Sequence, residues 1–284
     1  MMSVDTEFFT VWLRQARARL TQGLFAIMAT AGVGLAGEVE SKPLVERLLA
    51  ESANIHTMQC EIRRETELGG KVIRTLSRVW FERPDRLLVE TASPEVRRIV
   101  VDGKTIYKWI NGQPTGVQIP LAEAEEWDLL QVRRVPATAN EYLLKLRGLP
   151  ETALPAQDGF PDRRAYTPLA PHPYTVLSMD ETGRLSRLEL FDLDVQTNRL
   201  LKVDFGGWRE VKPGIWIACV QKTEAKGRDG IEVRETLRVG TPMINEPIDP
   251  EQFDVAQRIP DVQFIKTDEM IDVLRRAEDQ TKNK

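Results

Sequence analysis

The chain is 284 residues long, 42% of them hydrophobic and 29% charged, and it carries a formal net charge of −4. This length allows one large all-β or α+β domain, or two small ones. Acidic and basic residues are interleaved along the chain, so the sequence lacks the basic footprint of a nucleic-acid-binding protein, and no nucleic-acid partner is expected.

The first 36 residues have the organisation of a secretory signal peptide. Three arginines precede an apolar run from Leu20 to Leu35, and small residues follow it. The run is short for a membrane span and contains polar residues, which favours a signal peptide cleaved after Ala36 over an anchor. No cysteine near this point could carry a lipid. We therefore expect an exported, soluble periplasmic protein whose residues 37–284 form a single domain.

An amphipathic helix is predicted directly after the signal segment. Pro43 is a favourable residue for its first turn, and Ser41 is a candidate N-cap. Its apolar positions recur at helical spacing and are Leu44, Val45, Leu48 and Leu49.

From Met58 to Trp109 the pattern changes to short β runs separated by turn residues. The turn pairs are Gly69-Gly70, Pro84-Asp85, Ser93-Pro94 and Asp102-Gly103. The Asp-Gly pair stands between IVV and TIYKWI and is the strongest hairpin signal in the chain. This segment is therefore predicted to be an antiparallel meander.

Residues 121–147 return to helical character, with Pro136 separating two pieces. Their predicted apolar faces comprise Trp127, Leu129 and Leu130, then Tyr142, Leu143, Leu144 and Leu146. The segment 148–173, rich in Pro, Asp and Gly, is expected to be a long irregular connection, which in a compact domain is often functional.

At least five more antiparallel strands are predicted between Tyr174 and Val239. A final loop and short strand are expected over 247–264, and a terminal helix capped by Thr267 over 267–279. A helix, strands, a helical insertion and more strands indicate a continuous antiparallel sheet with helices on one face.

Residues that carry catalytic or metal chemistry are scarce. Neither His56 nor His172 has ligand-type neighbours at metal-site spacing, and there is no phosphate loop, nucleophile elbow or CxxC. Glu123, Glu125 and Glu126 are typical of the solvated face of an amphipathic helix. We therefore expect a binding protein without cofactor or metal rather than an enzyme.

Residues 78–113, RVWFERPDRLLVETASPEVRRIVVDGKTIYKWINGQ, resemble the LolA/LolB outer-membrane lipoprotein-carrier superfamily. The matching features are an aromatic strand ending in Arg83-Pro84, a Pro-containing turn and the hairpin IVVDGKTIYKW. The C-terminal Pro250-Glu251-Gln252-Phe253 is also similar, so the resemblance extends over 44–120 well and 176–264 in outline. It implies an α+β fold, an open antiparallel half-barrel of about ten to eleven strands with lid helices over an apolar concave face.

The resemblance also implies that this face shelters acyl chains of a lipid or lipoprotein, with transport partners at the inner and outer membranes. Strand alternation places Val79, Phe81 and Arg83 on the covered face. If Lys108 points to solvent, Tyr107 and Trp109 point inward. The candidate cavity comprises Val79, Phe81, Arg83, Leu87, Val89, Tyr107, Trp109, Leu130 and Leu143. The alternative is a filled core without ligand.

Arg83 is the unusual member of this set, because a guanidinium on an apolar face needs hydrogen-bond acceptors. Carbonyls at the ends of the lid helices, or a lid carboxylate, are the expected acceptors, and the resemblance implies that Arg83 holds the lid closed. Alternatively, Arg83 extends to the rim and pairs with a surface acid such as Asp85.

Two interpretations of function follow from these residues. The first is a periplasmic carrier that binds acyl chains in a hydrophobic cavity. The second is an envelope-sensing or regulatory module of the same fold that binds a protein partner. Cys60 and Cys219 would meet an oxidising compartment, where they could form a disulfide or remain small buried thiols.

Overall fold

Fifteen strands form one sheet in the computed structural model, which describes residues 43–167, 174–192, 198–226, 232–267 and 269. The predicted signal peptide and Ser41 lie outside the described residues, as do His172 and most of the helix predicted over 267–279. The strands are β1 (Thr57–Leu68), β2 (Lys71–Glu82), β3 (Arg86–Ser93), β4 (Arg97–Asp102), β5 (Thr105–Ile110), β6 (Thr115–Pro120), β7 (Glu151–Leu154), β8 (Asp162–Tyr166), β9 (Tyr174–Met179), β10 (Leu185–Phe191), β11 (Arg199–Lys212), β12 (Ile215–Lys226), β13 (Glu232–Val239), β14 (Met243–Ile244) and β15 (Gln263–Lys266).

The sheet is open, with β15 at one edge and β7 at the other. Its order is β15-β6-β5-β4-β3-β2-β1-β13-β12-β11-β10-β9-β8-β7, and β14 pairs with β1. The pairings are antiparallel except that β15 runs parallel to β6. The predicted open antiparallel architecture is thus confirmed, but about ten to eleven strands was too few, since the sheet has 15.

Part of that difference comes from the segment 148–173, which was predicted to be irregular. It contains β7 and β8, which extend the sheet beyond β9. Pro155, Gly159 and Pro161 interrupt the pattern between these short strands, and the polar start of β8 obscures its alternation. The charged residues at the start of β8 compensate one another, because Arg164 pairs with Asp162 at 2.6 Å and with Glu151 of β7 at 3.2 Å.

Three helices cover one face of the sheet, as the sequence predicts. They are α1 (Leu44–Ala53), α2 (Glu126–Arg133) and α3 (Asn140–Leu146). Pro43 occupies the N-cap position of α1, where its missing N–H breaks no helical hydrogen bond. Pro136 lies between α2 and α3. Among the described residues, none of the helices has the length and apolar content that a membrane crossing needs.

We call the face beneath these helices the inner face. Across β2, β3, β4 and β5, directly paired residues form a single inner row, Phe81, Leu87, Val101 and Ile106. Two apolar clusters fill the inner face. The first joins this row to the α2–α3 connection, and the second joins α1 and α3 to β8–β11.

The opposite, outer face of β2–β5 is also apolar and is covered by the C-terminal segment. Its row is Trp80, Leu88, Val100 and Tyr107. Ile248, Phe253 and Ile259 pack on this row. The loop and strand predicted over 247–264 are therefore corrected. A 3-10 helix (Pro250–Phe253) and α4 (Val255–Arg258) cross the outer face before β15 pairs with β6.

Candidate functional site

The inner face of β2 and β3 carries the apolar residues that alternation predicted. Val79, Phe81 and Leu87 are buried in the first cluster, and Val89 packs against it. Phe81 is 0% exposed, which makes it one of the most deeply buried aromatic residues described. These four predicted cavity residues are therefore brought together on one apolar surface.

Tyr107 and Trp109, in contrast, lie on the wrong face for the predicted cavity. Both pack in the outer cluster, and the Tyr107 ring meets Phe264 edge-on at 5.0 Å. The residue predicted to face solvent, Lys108, instead donates from Nζ to Asp128 Oδ1 of α2 at 2.8 Å. The prediction failed because the C-terminal segment covers the aromatic side of β5, while an ion pair with α2 accommodates the lysine on the inner side.

The helices contribute unequally to the cover. Leu143 of α3 is 3% exposed in the second cluster, but Leu130 of α2 is only half-buried and belongs to neither cluster. Val132 and Val135, which the sequence analysis passed over, provide the contact with the first cluster instead. Helical spacing could have identified Val132, but Val135 lies beyond the end of α2.

Arg83 bonds to backbone carbonyls around the C-terminal end of α1. Its Nε donates to the Ile55 carbonyl at 2.8 Å, and Nη2 donates to the Ser52 carbonyl at 3.2 Å, at the C-terminal end of α1. Burial lowers the pKa of Arg83. Asp85, the alternative partner, pairs with Arg133 at 2.7 Å instead. The acceptors are backbone carbonyls, the class that was predicted, but they lie at the end of α1 and just after it rather than on the 121–147 insertion, where the lid carbonyls were expected.

Further polar contacts fasten each helix at the rim. Asp128 of α2 accepts from Lys108, as described above. Arg133 of α2 also forms an ion pair with Asp85 at 2.7 Å. Two contacts join α3 to α1: Asn140 Nδ2 donates to Ser52 Oγ at 2.9 Å, and Arg147, directly after α3, pairs with Glu46 at 3.1 Å. Gln221 Nε2 also donates to the Ala137 carbonyl in the α2–α3 connection. The cover is thus apolar beneath and held at its edges by polar bonds.

A polar group lies where the α2–α3 connection meets β1 and β13. Arg64 pairs with Glu235 at 3.4 Å, and Thr66 donates to the same carboxylate at 3.2 Å. Burial lowers the pKa of Arg134, with a further decrease caused by the charge of Arg64, and burial raises the pKa of Tyr142. The inner face is therefore closed by charged groups on this side.

The side chains of the two apolar clusters pack against one another across the inner face and beneath the helices. Two surface clefts, of about 440 and 320 Å³, are not lined by side chains of either inner cluster.

The cysteines are free thiols in this structure, so the disulfide is not formed. Cys219 is buried, and burial raises the pKa of Cys60 to about 12. His56 is exposed, and no metal-binding group of His, Cys, Asp and Glu occurs among the described residues.

No family model matches the sequence, nor does any curated protein. A crystal structure of a putative outer membrane lipoprotein-sorting protein domain from Vibrio parahaemolyticus is similar, with a TM-score of 0.51 and 10% identity over 77% of this chain and 97% of that one. Weaker similarity connects the chain to a LolA superfamily protein from Nitrosomonas europaea (TM-score 0.47, 11% identity, 74% and 97% covered) and to a DUF1329 family protein from Desulfovibrio piger (0.49, 14%, 74% and 94%). At 10% identity, the similarity to the Vibrio parahaemolyticus structure shows the fold alone. The shared fold confirms the predicted resemblance at the level of fold.

Proposed function

We propose that the chain is a periplasmic carrier whose helical cover opens so that acyl chains of a lipid or lipoprotein bind the inner face. The observation that carries this proposal is the construction of the cover. A continuous apolar surface lies beneath three helices, and the Arg83 guanidinium holds the end of α1 through two carbonyls. The similarity to a lipoprotein-sorting fold supports the same assignment.

The free energy gained by burying an acyl chain on the inner face is larger than the free energy of the ion pairs that fasten the helices. The ion pairs that fasten the rim are partly exposed, as for Arg133, whose side chain is 53% exposed, and such pairs contribute about 0–1 kcal/mol each. Each acyl methylene that is buried on the inner face stabilises the complex by about 0.8 kcal/mol. A chain of ordinary lipid length therefore offsets the loss of several rim contacts and part of the helix packing.

This function needs no cofactor and no catalytic group. The affinity would come from burial of apolar surface, and specificity from the shape of the opened face. Cargo delivery would require contacts with donor and acceptor partners at the two membranes. We accordingly propose a non-enzymatic protein that is exported by its N-terminal segment and that binds lipid rather than nucleic acid.

An envelope-sensing module that binds a protein partner is the second candidate. The observation in its favour is that the chain's own helices already fill the inner face, with Leu143, Val132 and Val135 buried there. A module with a permanent cover would have no space for an acyl chain and would offer its outer surfaces to a partner.

Native mass spectrometry of the protein purified without detergent separates the two functions. The carrier is expected to bring acyl-containing species with it, or to take up a fluorescent fatty acid with saturable binding. A protein that carries no acyl species and binds no fatty acid, while forming a stable complex with an envelope protein, would favour the sensor.

A further inference from the structure

The outer face of the long strands is a lattice of complementary charges with one exception. In almost every cross-strand pair of two charged residues, an acid faces a base, and the facing residues include Glu67 and Arg234, Glu224 and Arg234, Asp204 and Lys222, Glu65 and Arg74, and Glu61 and Arg78. Among the described strand pairs, the exception is Arg63 on β1, which lies directly opposite Arg238 on β13. Like charges in this position repel and disfavour the folded sheet.

The exception coincides with a cleft of about 440 Å³ on the same face. Three arginines present their side chains on this face with one glutamate, Leu76 and the hydroxyls of Ser93 and Thr236, whereas Arg64 and Thr75 pair with each other on the inner face. The lining residues are Arg63, Arg64, Glu65, Arg74, Thr75, Leu76, Ser93, Thr236 and Arg238. This volume lies in the lower range of small-molecule sites.

The arginines of the cleft differ in how well their charge is compensated. Arg63 pairs with Glu61 at 2.9 Å, Arg74 with Glu65 at 2.7 Å, and Arg64 with Glu235 at 3.4 Å. Arg238 is exposed, has no ion pair within the described part of the chain, and its neighbour on β12 is Val220. The side chain of Arg63 is 73% exposed, so its guanidinium also remains accessible. The cleft therefore has excess positive charge centred on the Arg63–Arg238 pair.

We propose that this cleft is an anion site that binds a phosphate group between Arg63 and Arg238. Guanidinium groups present paired N–H donors that match phosphate oxygens, and the hydroxyls of Ser93 and Thr236 lie in the same lining. A bound phosphate anion lies between the two arginines, and its attraction to both offsets their mutual repulsion. The site lies on the outer face and stands independently of the acyl-binding proposal. A free phosphate and the phosphodiester of a lipid headgroup supply the same recognised atoms.

Replacing Arg238 by glutamine tests the site without breaking an ion pair. The matched control is Arg234→Gln on the same strand and face, where the cross-strand neighbours are Glu67 and Glu224. Both variants remove one positive charge. Binding is measured by calorimetry with inorganic phosphate, and by flotation with phosphatidylcholine vesicles with and without phosphatidylglycerol. Arg238→Gln is expected to weaken binding roughly tenfold, the usual effect of a lost hydrogen bond to a charged group, while Arg234→Gln changes it less than about twofold.

The two probes distinguish the source of the phosphate. Binding of free phosphate without flotation assigns the site to a soluble phosphate compound, and flotation that depends on phosphatidylglycerol and on Arg238 assigns it to a lipid headgroup. Thermal unfolding adds a second measure. Without anion, Arg238→Gln is expected to raise the Tm by relieving repulsion, and Arg234→Gln to lower it. Equal binding by the two variants, or no binding of either probe by the wild type, would overturn the proposal.

Discussion

The two halves of the sheet, β2–β5 and β9–β13, differ in how their faces are covered. In β2–β5 both faces are apolar, and each has its own cover, since helices and their connection pack on the Phe81 row and the C-terminal segment packs on the Trp80 row. In β9–β13 the outer face is less apolar, although Val176 is buried on it and Tyr174 packs against Phe191 there. The outer face of that half carries charged rows such as Glu189, Lys202, Glu224 and Arg234, which need no cover because they pair with one another.

This difference explains where alternation is informative. In a strand such as β13, whose outer positions include Glu232, Arg234 and Arg238, the pattern alone identifies the apolar inner side. In the first half, a strand such as β5 is apolar on both sides, and Tyr107 and Ile106 compete for the inner position. Only the segment that covers each face decides between them, and the outer cover begins more than a hundred residues later in the chain, near Ile248.

The largest effect is expected where the inner cover meets the second half. Leu143 is 3% exposed among α1, α3 and β8–β11, so Leu143→Asp would place a carboxylate there without a partner. We expect a loss of about 3–5 kcal/mol in the free energy of unfolding, with release of α3 and altered binding of an acyl probe. Leu144→Asp, at a neighbouring residue that is 38% exposed, should have little effect in the same urea titration. Equal losses for both variants would contradict the assignment of Leu143 to the cover.

A second prediction compares the outer faces of the two halves. Leu88 is 0% exposed beneath the C-terminal segment, and Leu88→Ala is expected to cost about 2–5 kcal/mol of unfolding free energy through lost burial and a cavity. Lys222 occupies the corresponding outer face of β12 and is exposed, so Lys222→Ala should change stability by less than about 0.5 kcal/mol. Urea unfolding of both variants measures the difference. If Leu88→Ala were as mild as Lys222→Ala, the C-terminal segment would not be a true second cover.

Local patterns sufficed for much of the fold. The helical spacing of Leu44, Leu48 and Leu49, the Asp102-Gly103 turn and the break at Pro136 all specify structure through nearby residues. The inward position of Phe81 followed from alternation, because Val79 shares its side of β2, whereas Arg78 and Glu82 flank Trp80 on the opposite side.

The remaining features depend on contacts between distant residues. The strands β7 and β8 form because β9 offers them an edge to pair with, and their own sequence is polar and interrupted by Pro and Gly. Lys108 lies on the inner side because Asp128 on α2 accepts its charge. The acceptors of Arg83 were anticipated as a class, carbonyls at a helix end, but the choice of α1 over the insertion depends on how α1 packs.

The smallest expected effect concerns the bond that joins the two halves. Arg83 directly follows β2, at the end of the first half, whereas Ser52 lies in α1, which packs on the second half. Its two bonds therefore hold the cover of one half to the frame of the other. Arg133, which fastens α2 to Asp85 at the exposed rim, provides the matched control.

If the Arg83 bonds hold the helices over the inner face, they exist only in the closed, empty state. Arg83→Leu then removes these bonds and adds apolar surface for a bound acyl chain. Loss of two hydrogen bonds from a charged donor weakens the closed state by about 1.5–3 kcal/mol, so ligand release loses part of its driving force. We expect the off-rate of a fluorescent acyl probe to fall between about threefold and tenfold. Arg133→Gln removes a surface ion pair and should leave the off-rate within about twofold of wild type. An off-rate for folded Arg83→Leu that equals or exceeds the wild-type value would mean that the Arg83 bonds stabilise α1 without controlling release.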